Sequence, residues 1–288
     1  MLVSAQTKRL RARFGMENAI RILHEAGFDA YDWSMGPMEK EPDHELNQPD
    51  YRDYAHHIRE YADSLGIVCN QAHAPTPSSY DDPDRTAGVF EKITRAIEVA
   101  SIVGAKNINV HPCQHLLYKG NEDILREQNY KFIRALVPYA EKFQINVVVE
   151  NMWQYYDGRI NYSTCADPSE HCAYIDQAGS DRIGALLDIG HAALVTGDVP
   201  KSIRTLGKRL KALHVHDNDL VDDLHVLPFS SKIDFDAVAA ALREVGYAGD
   251  MTFETDGFFG RIPDELIPDA ARYMCQTARC LAAKVAEK

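Results

Sequence analysis

The stretch LKALHVHDND, Leu210–Asp219, ends an apolar run with two histidines one residue apart, followed by acids and an amide. A strand that stops in a loop can do so with Gly, Asn or Ser; this one stops with groups that bind protons and metals. Other apolar runs end in the same way. The third closes on His73, the fourth on His111 and the fifth on Glu150. The sixth closes on Asp188 with His191 just beyond, the seventh on His214 and His216, and the eighth on Glu254. The opposite ends of these runs are bland, reading Asn146, Gly184, Lys211 and Asp250. Helix capping, in which an acid favours the helix dipole, would account for one or two of the carboxylates. Three inward carboxylates with a histidine would repel one another or take up protons unless a cation lay between them. With carboxylates, imidazole and no thiolate, the harder divalent ions lead. Mn²⁺ is expected first, with Mg²⁺, Co²⁺ and Zn²⁺ also open. Glu150, Asp188, His214 and Glu254 are the expected ligands.

Such a gathering requires elements that carry separate parts of the chain to one place. Short runs rich in Val, Ile and Leu occur at 2–6, 28–33, 67–74, 106–111, 145–151, 183–188, 210–216 and 250–255. Between them lie amphipathic segments of helical period, such as MENAIRILHEAG and DFDAVAAALREVG, several opening on Asp and closing on Gly. Strict alternation of strand and helix implies parallel strands with crossover helices. Eight repeats close naturally into a barrel. An open doubly wound sheet would carry a Gly-rich phosphate loop after its first strand, where this chain has SAQTKRLRARFG. The expected fold is a (β/α)8 barrel, one domain over 1–288, with a last helix at about 264–288 packed on it. In such a barrel the carboxyl ends of the strands share one mouth, so the polar strand ends converge.

Bulk properties narrow the function classes. The chain of 288 residues is 45% hydrophobic and 26% charged. It has no apolar run near the roughly 20 residues that span a bilayer. No apolar stretch of signal-peptide type follows the basic N-terminus, so a cytoplasmic location is expected. The six cysteines are scattered without a C-x-x-C pair, which makes reduced thiols the expectation. A net charge of −12 argues against nucleic acid as a partner, because affinity for a polyanion comes largely from Lys and Arg.

Taken in order, VVVEN, LLDIGH, LHVHDND and TFETD resemble the xylose-isomerase-like barrel superfamily of sugar isomerases and epimerases, of which endonuclease IV is a relative. The resemblance covers roughly residues 15 to 260 and implies metal ligands at Glu150, Asp188, His214 and Glu254, the set chosen above. It implies that His191 meets a substrate oxygen and that His216 lies behind the ligands or faces the substrate. The implied activity is a metal-dependent sugar isomerase or epimerase acting on a small sugar or sugar phosphate. A divalent ion chelating a ketose carbonyl and its neighbouring hydroxyl would make the adjacent C–H acidic and bring an enediolate within reach. Glu150 and Glu254, the expected catalytic pair, would then remove and return the proton.

A second likeness runs alongside. Asp223-Leu224-His225 resembles the D-x-H segment that supplies a further metal in endonuclease IV, and His73 and His111 complete its trinuclear pattern. An abasic-site phosphodiesterase with up to three metals is therefore the alternative, and a dehydratase of the inosose or dehydroshikimate type uses the same proton abstraction. In the sugar reading His73, His111, Asp223 and His225 meet substrate instead. The relatives' P-G-x-G-x-I-D segment reads PFSSKID here, without either glycine. After the fifth run, NMWQYYDGRINY forms an aromatic loop that could stack Trp153 on a sugar ring or close as a lid. Arg159 and Arg261 could meet an anionic group, His56 and His57 read as an exposed helix face, and Cys275 and Cys280 as buried packing residues. Relatives often form dimers or tetramers, so a homo-oligomer is expected by analogy alone.

Overall fold

The computed structural model describes residues 1–287. Its strands are β1 (Val3–Gln6), β2 (Ala30–Ser34), β3 (Val68–His73), β4 (Asn107–Val110), β5 (Asn146–Glu150), β6 (Trp153–Tyr156), β7 (Arg159–Tyr162), β8 (Ile183–Asp188), β9 (Leu210–His214) and β10 (Met251–Phe253). Eight of them form one parallel sheet in the order β10-β1-β2-β3-β4-β5-β8-β9. The edge strands meet just past β9, where Val215 N–H donates to the Thr252 carbonyl at 2.9 Å and Glu254 N–H to the Val215 carbonyl at 3.2 Å. The sheet closes on itself as a (β/α)8 barrel.

Side chains alternate across a strand, so every second residue points into the barrel. Val148, Leu186 and Ala212 meet there as a small apolar cluster separate from the main core. Two residues further along the same strands, the inward positions are Glu150, Asp188 and His214. The other parity faces the helices and packs the large outer core, with Tyr31, Trp33, Val147, Val149, Leu187 and Leu213 buried in it. An apolar layer thus supports a polar one at the carboxyl ends of the strands.

Local chemistry sets the helix ends. Asp82, Asp167, Asp188, Asp198 and Asp234 each accept a backbone N–H from the first turn of the helix that follows. The helix Tyr51–Leu65 ends at Gly66, whose φ of 78° puts it in the left-handed region that glycine enters without strain. The last helix, Ile267–Ala286, packs against the helices Met16–Ala26 and Phe235–Glu244, which seats it on the barrel. No helix among the described residues is long and apolar enough to cross a membrane.

Four features depart from the sequence expectation. The residues after β1 form a helix, Lys8–Phe14, and a second helix, Ile189–Thr196, starts directly on Asp188. The aromatic segment is no loop: β6 and β7 pair as an antiparallel hairpin turning at Asp157-Gly158. Cys275 is buried as expected, whereas Cys280 is exposed because it falls on the outer face of its helix.

Candidate active site at the barrel mouth

Glu150, Asp188, His214 and Glu254 come together at the carboxyl ends of β5, β8, β9 and β10, with ligand-capable atoms all within 4.8 Å of one another. All four are buried. His214 Nδ1 lies 3.3 Å from Glu150 Oε1 and 3.1 Å from Glu254 Oε2. The remaining carboxylate oxygens are held from behind. Gln6 Nε2 donates to Glu254 Oε1 at 2.6 Å, and Asn109 Nδ2 donates to Glu150 Oε2. Asp188 both caps and converges: its Oδ1 accepts the His191 backbone N–H at 2.7 Å. Capping is therefore true of Asp188 without accounting for its place in the cluster. Glu150 caps no helix, since Asn151 and the hairpin follow it.

Electrostatics agree with a site built for a cation. Burial pushes the Glu150 carboxyl up, but the imidazoles of His111 and His214 outweigh it and hold it well below the usual range. Burial likewise raises Glu254, and His214 with His225 brings it well below. For His214 burial acts downward, and Glu254 and Glu150 carry it well above an ordinary imidazole. A divalent ion would supply the positive charge that protonated His214 otherwise provides. Three buried carboxylates and one imidazole, each with an oxygen or nitrogen aimed inward, fit a hard or borderline divalent ion.

Above this cluster opens a cavity of about 510 Å³. His73, His111, Trp153, His191, Asp223 and His225 line it together with Glu150 and Glu254. His73 Nε2 and His111 Nε2 lie 3.7 and 3.1 Å from Glu150 Oε2. Across the mouth, Asp223 Oδ2 is 3.0 Å from His225 Nε2 and 3.4 Å from His191 Nε2. Trp153 Nε1 donates to the same oxygen at 3.2 Å, which ties the hairpin to the loop after β9. Of the two places expected for His216, behind the ligands or facing the substrate, it takes the first. It is fully buried, does not border the cavity, and sets its Nε2 3.0 Å from Asp188 Oδ1.

The rest of the HDND stretch shapes the loop. Asp217 accepts the backbone N–H groups of Ser231 at 2.8 Å and Ile233 at 3.0 Å, and Asn218 donates to the Gly190 carbonyl at 2.9 Å. In PFSSKID, Phe229 adopts φ 69° where the relatives' segment has glycine. That places a bulky side chain in the left-handed region, which such residues disfavour. Arg159 and Arg261 are exposed and do not line the cavity, and His56 and His57 are exposed.

His225 gives a pH prediction for the metal-free protein. Burial lowers its pKa, but Asp223 and Glu254 win and push it up to about 9 from 6.5. The folded state keeps this proton where the unfolded chain has released it. Its stabilisation is present in full below pH 6.5 and lost as pH rises through about 9. His225→Gln should flatten that segment of a melting-temperature profile taken with chelator. An unchanged slope in the variant would rule out His225 as its source.

The surrounding homology is broad. A 25% identical Sinorhizobium fredii protein, y4fM, aligns over 84% of this chain and 81% of its own length. The D-psicose 3-epimerase of Enterocloster bolteae is 24% identical over 68% of this chain, and the match spans 64% of that enzyme. The crystal structure of a D-tagatose 3-epimerase-like protein superposes with a TM-score of 0.76 at 22% identity, covering 99% of this chain and 100% of the other. The family model of the xylose isomerase-like TIM barrel matches residues 20–277. With strands, mouth and polar strand ends arranged in that way, the chain belongs to the xylose isomerase-like TIM barrel family.

Proposed function

We propose that this protein is a divalent-metal-dependent sugar epimerase or isomerase that moves a proton on the carbon beside a ketose carbonyl. The observation that carries the reading is the convergence of Glu150, Asp188, His214 and Glu254 within 4.8 Å beneath an open cavity. The names of its relatives, a D-psicose 3-epimerase and a D-tagatose 3-epimerase-like protein, favour a free ketose and inversion at C3. Glu150, Asp188, His214 and Glu254 would hold a divalent ion, Mn²⁺ before Mg²⁺, Co²⁺ or Zn²⁺, which would supply Lewis-acid polarisation of the substrate carbonyl. Glu150 and Glu254 then serve as the acid–base pair, one taking the proton and the other returning it. Gln6 and Asn109 keep each carboxylate from rotating, so each presents a fixed oxygen to the substrate. His191, held by Asp223, and the His73–His111 pair line the cavity where substrate hydroxyls would lie. Trp153 covers one side of the ring and limits water entry.

The test is solvent exchange. Incubated in deuterium oxide with Mn²⁺ and a panel of free and phosphorylated ketoses, the protein should place deuterium beside the carbonyl of at least one, with its epimer or aldose accumulating. No exchange from any ketose by ion-loaded protein would end this reading.

A second reading has its own observation. His73, His111 and Glu150 form one further ligand group, and His191, His216, Asp223 and His225 another. An endonuclease IV-like phosphodiesterase would fill all three positions. It predicts about three zinc ions per chain and cleavage of an abasic oligonucleotide, whereas the sugar reading predicts one ion. The net charge of −12 weighs against the nucleic-acid substrate.

A further inference from the structure

Each of the four clustered side chains at the mouth has a second residue behind it; for Asp188 it is His216. For Glu254 it is Gln6, and for Glu150 it is Asn109. His214 is held by a group of a different kind. Its Nε2 lies 3.2 Å from Oδ2 of Asp32, a fully buried residue near the end of β2. The same oxygen accepts from Gln71 Nε2 at 3.3 Å on the neighbouring strand, while Asp32 Oδ1 has no partner. Asp32 is not among the four residues whose ligand atoms lie within 4.8 Å of one another. It stands on the far side of the imidazole ring from them.

We propose that Asp32 is a positioning residue for the metal centre: by accepting a hydrogen bond from His214 Nε2, it fixes the tautomer that leaves the Nδ1 lone pair facing Glu150, Asp188 and Glu254. This rests on the metal-dependent reading above. A neutral imidazole carries one N–H, and an ionised carboxylate can only accept. Once a divalent ion takes the place of the proton on the nitrogen facing the glutamates, the one remaining N–H lies on the nitrogen facing Asp32, and the other is the free donor. That other nitrogen, Nδ1, is the one 3.1–3.3 Å from the two glutamates. An amide or hydroxyl at position 32 could satisfy either tautomer and would not choose between them. A carboxylate behind a ligating imidazole also makes that imidazole a better donor. Only a carboxylate does both.

The experiment measures Mn²⁺ affinity by calorimetry for the wild type, Asp32→Asn and Asp32→Ala, with melting of each metal-free protein alongside. Asp32→Asn keeps the shape and should fold, yet its Kd for Mn²⁺ should rise by about tenfold to a hundredfold, as losses of such partners do. In the Co²⁺-loaded wild type, the His214 N–H should give a hyperfine-shifted proton resonance protected from water. In Asp32→Ala it should exchange rapidly. A role confined to structure would lower the metal-free melting temperature and leave Kd unchanged. If Kd in Asp32→Asn stays within twofold of a wild type that binds Mn²⁺, this inference fails while the metal reading stands. A wild type that binds no divalent ion overturns both.

Discussion

Glu254→Gln and Glu150→Gln should each lower kcat by about 10²–10⁴-fold at saturating Mn²⁺, the range expected when a positioned acid or base is lost. Each carboxylate has one oxygen occupied by an amide from a neighbouring strand, Gln6 or Asn109, and the other turned toward His214 Nδ1. A glutamine retains the size and an oxygen ligand but cannot accept a proton. The two positions are also predicted to differ in an informative way. If they serve opposite faces of the reacting carbon, each variant should lose solvent exchange from one epimer and keep some from the other. NMR of both epimers in deuterium oxide, followed for each variant, reads this directly. Exchange lost equally from both epimers in both variants would show that the two carboxylates do not divide the faces. A kcat above a tenth of wild type in either variant would remove that glutamate from the proton-transfer step.

Much of this site can be read from the chain, because strand ends in a parallel barrel share one height. The polar ends of VVVEN, LLDIGH, LHVHDND and TFETD mark the four converging residues without any knowledge of pairing. Gln6, Asp32 and Asn109 carry the same signal more faintly. Each sits at or near the end of its strand, in the inward parity. Asp32 is the second acid of the run FDAYDW, where an acid between two aromatics reads as a strand edge and not as a partner for a histidine 182 positions away. Only the closed register brings β2 and β9 across the barrel from each other. Long-range pairing of this type has no periodic trace in the sequence. The hairpin β6–β7 escaped for a local reason. Its strands are four residues each and mix Gln, Asn and Arg with tyrosines, so no apolar alternation distinguishes them from an aromatic loop. The helix Ile189–Thr196 escaped because it starts on the last residue of a strand, with Asp188 serving both.

Gly190→Ala offers the sharpest test of how that junction is built. Gly190 lies in the first turn of the Ile189–Thr196 helix, where alanine is intrinsically favoured over glycine by up to about 1 kcal/mol. Propensity alone predicts a more stable protein. The structure predicts the opposite. A methyl group at Gly190 would overlap the imidazole of His216, which lies against the glycine backbone and is itself fully buried. His216 has little room to retreat, because it stacks on His225 with ring centroids 3.9 Å apart and faces Asp188 through Nε2 at 3.0 Å. Moving it would release Asp188 on one side and shift the Asp223–His225 pair on the other. Gly190→Ala should therefore cost about 3 kcal/mol or more, at the upper end for overpacking, and weaken divalent-ion binding as well. Urea unfolding of the metal-free protein measures the first effect and calorimetry the second. A double-mutant cycle then locates the cause. Trimming the ring in His216→Ala should make room for the new methyl, so the double variant should be more stable than the sum of the two single costs allows. If the two costs simply add, the collision is not with His216, and its imidazole is not what requires glycine in LLDIGH.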